Sequence, residues 1–179
     1  MRNIICISKL IALLLTTPLQ AGSDLPEGCY MRDYSRQELM RAPTQLAERI
    51  ALNFTTQDNM DLAVMKVLVA GQGKNNGYGG KVLKETLLCN HRRHYHSPVP
   101  QPDRLFCHGA CGGGSFEVLT LSNGGVAIKT DYLYFGGLIS CEGHISLTQT
   151  QGEYTTYSLK RVADNLCDTD LLNNGVLEK

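Results

Sequence analysis

Between residues 45 and 162 the chain repeats one pattern: a short apolar or alternating run, then a turn rich in Gly, Asn or Asp. Ile50, Leu52 and Phe54 alternate with Ala51, Asn53 and Thr55, the period of two that lines up apolar side chains on one face of a strand. Leu62 to Val69 is apolar except near Lys66, which predicts a strand packed on both faces or one that turns Lys66 to solvent. Gly71, Gly73, Asn75, Asn76 and Gly77 form a loop able to supply positive φ. Further runs follow at 81–89, 104–108, 115–121, 126–130, 131–135, 144–149 and 154–162. Gln57-Asp58-Asn59, Asn123-Gly124, Gly136-Gly137 and Gln151-Gly152 are tight-turn sequences that send the chain back antiparallel to itself. Successive tight hairpins favour a meander over a Greek key. The predicted fold is therefore all-β, a small antiparallel up-and-down β-barrel of about eight strands.

The start of the chain reads differently. Arg2 and Lys9 flank an apolar stretch from Ile4 to Leu15, followed by Pro18 and the small residue Ala21, the order of a cleaved export signal. The uninterrupted run Leu10 to Leu15 is far shorter than the roughly 20 residues of a permanent anchor, so no stable membrane attachment is expected. The predicted organisation is a signal peptide at 1–21, an irregular segment at 22–44, a barrel domain at 45–167 and a tail at 168–179. Within the irregular segment Ser35, Glu38 and Pro43 provide an N-cap, its capping-box partner and a stop, predicting one or two helical turns. The expected location is secreted or periplasmic.

Cysteine usage points to the same compartment. Of seven cysteines, Cys6 lies in the signal, leaving Cys29, Cys89, Cys107, Cys111, Cys141 and Cys167, an even number consistent with a disulfide framework. Six cysteines allow 15 pairings in principle. Cys29 with Cys167 would close the longest loop, and Cys89 with Cys107 would join neighbouring strands at the base of the loop between them. Cys111 and Cys141 then form the third pair.

One segment concentrates chemistry-bearing side chains, from Cys89 to Cys111. It holds His91, His94, His96 and His108, four of the five histidines, whose imidazoles are candidate ligands for Zn²⁺ or Cu²⁺. The spacing is not that of a helical or strand ligand pair throughout, since only His94 and His96 would share a strand face. Arg92, Arg93 and Tyr95 in the same loop make a small basic patch with an aromatic, suited to an anionic ligand or acidic partner, and protonation of the histidines near pH ~6.5 would strengthen it. The ordinary alternative is a solvated loop punctuated by Pro98, Pro100 and Pro102. Tyr132 and Tyr134 share one strand face and Leu133 and Phe135 the other; the tyrosines are candidate ligand contacts at a barrel mouth, although aromatic residues in a small barrel more commonly fill its core.

Several function classes lack support. With the signal removed, 15 basic side chains face 17 acidic ones, so no general attraction to nucleic acid follows. The glycines of Gly109 to Ser115 lack the Lys-Ser/Thr ending and following helix of a phosphate loop, and Gly-x-Ser-x-Gly is absent. A catalytic Cys107–His108 pair conflicts with the opposite facing of adjacent strand residues. The leading expectation is an exported, non-enzymatic β-barrel binding module for a protein or small apolar ligand, with the 90–103 loop as recognition element. The alternatives are a metal-binding protein using the histidine loop and a hydrolase whose site the sequence does not identify.

Overall fold

The structure, a computed structural model, describes residues 25–92, 104–109, 113–135, 145–150 and 152–169. Its strands are β1 (Gly28–Asp33), β2 (Ala47–Gln57), β3 (Met60–Val69), β4 (Val82–Arg92), β5 (Arg104–His108), β6 (Gly114–Thr120), β7 (Val126–Phe135), β8 (Ile145–Ser146) and β9 (Thr155–Arg161), with short helices α1 (Arg36–Arg41) and α2 (Asn165–Asp168). Each strand from β1 to β7 pairs antiparallel with the next, β7 pairs with β9, and β9 returns to β1. Eight strands thus close an up-and-down barrel, and β8 adds to the far end of β7. The expected fold class is the observed one.

The predicted turns at Asp58-Asn59 and Asn123-Gly124 behave as their sequences dictate, while Gly136-Gly137 and Gln151 lie outside the described residues. Asp58 and Asn59 both take positive φ between β2 and β3, and Gly124 does so between β6 and β7. Alternation fills the interior: Ile50, Leu52 and Phe54 of β2 face Met65 and Val67 of β3 and Ile128 of β7 in one continuous core. Each such side chain, when fully buried, contributes roughly 1.5–3 kcal/mol. Lys66 faces outward, yet it is half-buried: its Nζ donates to the Cys167 carbonyl at 2.6 Å and to that of Thr169 at 3.4 Å, at the C-terminal end of α2.

Three expectations need correction. The segment 22–44 is not merely irregular, because it contributes β1. Tyr30 of that strand points into the barrel while Cys29 and Met31 pack outside against Cys167 and Leu166, so both faces are apolar and the alternation that marks a half-exposed strand is missing. The helix in that segment is as predicted, with the Ser35 backbone N–H donating to Glu38 Oε2 at 2.8 Å and the Glu38 N–H donating to Ser35 Oγ at 3.3 Å. The runs 126–130 and 131–135 form one strand, β7, which changes partner midway: Val126–Thr130 pairs with β9, whereas Tyr134 and Phe135 pair with β8. The barrel strands end at Arg161, and α2 rather than a strand delivers Cys167.

Two disulfides form as spacing predicts, Cys29–Cys167 and Cys89–Cys107. The second joins residues directly opposite on β4 and β5. Cys111, Cys141 and the predicted signal 1–21 lie outside the described residues.

The two ends of the barrel differ. At one, here the closed end, lie the connections β1–β2, β3–β4, β5–β6 and β7–β9. There Ile145 and Leu147 are buried, the Tyr157 hydroxyl donates to the Leu147 carbonyl at 2.5 Å, and the Gln149 N–H donates to Thr155 Oγ1 at 3.0 Å. Gln45, 2% exposed, donates to the Ala47 carbonyl at 2.9 Å and accepts from the Gln149 side chain. Burial pushes the Tyr157 phenol above its ordinary value, and the nearby Tyr34 adds to the shift. The opposite end carries the β2–β3 and β6–β7 hairpins and the strand ends flanking the 93–103 loop.

Glu85 places a carboxyl in a mostly apolar interior. It lies opposite Met65, on the inward register of β4, and is only 6% exposed. Desolvation raises its carboxyl above the usual carboxylate range. A carboxyl whose folded pKa exceeds its unfolded one favours folding when protonated, so stability falls as pH rises from the unfolded value through the folded one. Glu85→Gln is therefore expected to raise the melting temperature at neutral pH, with the gap to wild type closing as pH drops below 4; calorimetry across pH checks this. Replacing Cys29 and Cys167 together by Ser is expected to cost on the order of 2–5 kcal/mol in urea unfolding, because the bond closes a very long loop.

Candidate functional site

The site begins with an irregularity in β7. Ile128 and Thr130 point inward, and uninterrupted alternation would carry Tyr132 and Tyr134 into the barrel after them. Between the pairs Ser115–Tyr132 and Glu117–Lys129, however, the single residue Phe116 of β6 opposes two residues of β7, Thr130 and Asp131. This is a β-bulge, and it shifts the alternation by one. Leu133 and Phe135 become fully buried core residues, while Asp131, Tyr132 and Tyr134 face outward. The expectation that the tyrosines fill the core is thus reversed; their sharing of one face holds.

Thr130 holds the bulge. Its hydroxyl donates to the Ser115 carbonyl at 2.7 Å and accepts the Tyr132 N–H at 3.2 Å, supplying partners to backbone groups that the interrupted ladder leaves over. Opposite Leu133, Gly114 has φ +91°, and a Cβ there would sit 1.9 Å from the Tyr132 carbonyl oxygen. Only glycine permits that approach.

Tyr132 and Tyr134 meet edge-to-face, with ring centroids 4.9 Å apart and planes at 60°. Tyr132 remains 52% exposed. The pair forms one wall of a groove of about 540 Å³ at the closed end of the barrel, bounded by Thr44 and Leu46 before β2, Gly73, Lys74 and Asn76 after β3, and Ser146, Thr148 and Gln149 around β8. That size falls within the range of small-ligand sites. The opposite wall is held in shape: Gln72 Nε2 donates to the carbonyls of Leu39 and Ala42 at 2.9 and 2.7 Å, and Gly73, Asn76 and Gly77 take the positive φ expected of this loop. Among the described residues that line the groove Lys74 and Asp131 are the charged ones, and they are of opposite sign.

Sequence reasoning found Tyr132 and Tyr134 but missed the rest of this lining, which comes from three separated segments. The 71–77 loop was visible as a loop and carried no sign of what it faces.

Of the other predicted site residues, those among the described ones do not gather here. His91 lies opposite Leu105, on the inward register of β4 and exposed at the far rim, whereas His108 lies opposite Leu88 on the outward register of β5. They occupy opposite faces of one hairpin. The His108 Nδ1 is buried without a hydrogen-bond partner among the described residues. Cys89 and Cys107 are bonded to each other and offer no thiolate. No group of three or more His, Cys, Asp or Glu side chains gathers as a metal set among the described residues. Arg92 is the last residue of β4, and Arg93, His94, Tyr95 and His96 lie outside the described residues.

No family model, curated protein or solved structure matches the chain. Fold and groove alone define its class, a disulfide-bonded antiparallel β-barrel with an open, mixed polar and aromatic groove at one end.

Thr130→Val keeps the shape of a buried side chain but leaves the Ser115 carbonyl and the Tyr132 N–H without their partner. It is expected to lower stability by about 1–3 kcal/mol in urea unfolding. A change below the error of the measurement would show that the bulge does not depend on this hydroxyl.

Proposed function

We propose that this protein is an exported, non-enzymatic binding module that takes its ligand in the groove beside Tyr132 and Tyr134, not inside the barrel. The observation that carries the reading is the outward placement of this aromatic pair on a polar-rimmed groove while the interior is filled by Phe54, Met65, Phe116, Phe135 and Tyr157. An eight-stranded barrel packed in this way leaves its interior to side chains. The lining also turns the expected ligand from an apolar molecule to a polar one that carries a face for an aromatic ring. Export is supported by the leader pattern before Ala21, and the two disulfides fit an oxidising compartment. The strands that flank the 93–103 loop end at the opposite rim, so recognition by that loop would be a separate event.

Ligand-observed NMR with a small-molecule fragment library tests the reading. Hits are expected whose saturation transfer disappears in Tyr132→Ala, a substitution at a half-exposed side chain that leaves the core intact. Hits that persist unchanged in the variant, or an absence of hits, would overturn it.

A further inference from the structure

We infer that the groove takes a neutral pyranose sugar, with Tyr132 as the stacking residue. This inference rests on the binding reading above and adds the ligand's chemistry.

A pyranose has two unlike surfaces: a face of axial C–H groups and a rim of hydroxyls, each of which both donates and accepts. A site for it needs an exposed aromatic ring for the face and short polar side chains for the rim. The groove has both. Tyr132, half-exposed, is braced edge-to-face by Tyr134, so its orientation costs little further ordering on binding. Around it stand the hydroxyls of Thr44, Ser146 and Thr148 and the carboxamide of Gln149. Ser146 Oγ and Thr148 Oγ1 lie 2.6 Å apart and share one hydrogen bond, and Ser146 Oγ also accepts the Thr148 N–H at 3.2 Å, which leaves the pair together one hydroxyl hydrogen and two lone pairs for ligand hydroxyls.

Other chemistries fit less well. A phosphate or carboxylate ligand would find Lys74 offset by Asp131 in the same groove. A lipid tail would find, among the described lining residues, Leu46 as the one aliphatic side chain. An extended peptide needs a free strand edge to add to, and here β7 is paired on both sides while β8 has only two residues. The wall that faces the tyrosines is braced by Gln72, which ties the loop after β3 to the carbonyls of Leu39 and Ala42.

The test is isothermal titration of the full secreted protein with neutral tetrasaccharides of glucose, xylose, mannose and N-acetylglucosamine, with tetragalacturonate as charged control. At least one neutral saccharide is expected to bind and the charged control not to. Tyr132→Ala is expected to weaken binding about tenfold or more, while Tyr132→Phe, which keeps the ring, stays within about threefold of wild type. Far-UV circular dichroism and melting of both variants establish that they fold. If fragments bind in a Tyr132-dependent manner but no neutral saccharide does, the sugar assignment falls and the groove remains the site. Saccharide binding that survives Tyr132→Ala overturns the placement, and failure of both fragment and saccharide binding removes both readings.

Discussion

The barrel depends on a seam that is short in hydrogen bonds. Strands β1 and β9 meet through two residue pairs, Tyr30 with Arg161 and Met31 with Lys160, whereas β2 and β3 pair along ten. Closure at this seam is completed by chemistry from outside the ladder. The Cys29–Cys167 disulfide ties α2 to β1. Asp164 Oδ1 accepts the Cys29 N–H at 3.2 Å and pairs with Arg161 at 2.7 Å, which hold its carboxyl below the usual range, and Arg161 Nη1 donates to the Cys29 carbonyl at 3.2 Å. A sheet left open here would expose two unpaired edges at once, so these few contacts do more for the fold than their individual strengths imply.

The same segment explains why the outer surface is not uniformly polar. By covering Cys29, Met31 and Ala51, α2 builds a second, small apolar cluster outside the barrel. Lys66 then serves the helix carbonyls instead of solvent. The disulfide therefore sits inside a packed layer, with Cys29 fully buried and Cys167 nearly so.

Away from the seam, one inserted residue in β7 separates the half that closes the barrel from the half that lines the groove. Before the bulge, β7 pairs with β9 and completes the cylinder; after it, β7 pairs with β8 and presents its tyrosines to the groove. Because side chains alternate with a period of two, a shift of one exchanges every inward and outward position beyond it. Leu133 and Phe135 seal the core with the same backbone displacement that exposes Tyr132.

Local sequence determined the strands, their tight turns and hence the meander, because period-two patterning and Asp-Asn or Asn-Gly turns act within a few residues. The capping box at Ser35 and Glu38 and the disulfide Cys89–Cys107 were legible for a related reason: a cap is a local hydrogen-bond pattern, and antiparallel strands bring predictable residues opposite one another, whereas Cys29–Cys167 was legible as the pair that closes the longest loop. β1 was hidden because its outer face is buried by a helix over 130 residues away in sequence. The facing of Tyr132 and Tyr134 depended on the bulge that Thr130 and Gly114 hold against β6, a contact between strands that no pattern within β7 reveals. The groove itself exists only where segments near residues 44, 74, 132 and 148 meet at one end of the closed barrel, so only the tertiary structure could decide its lining.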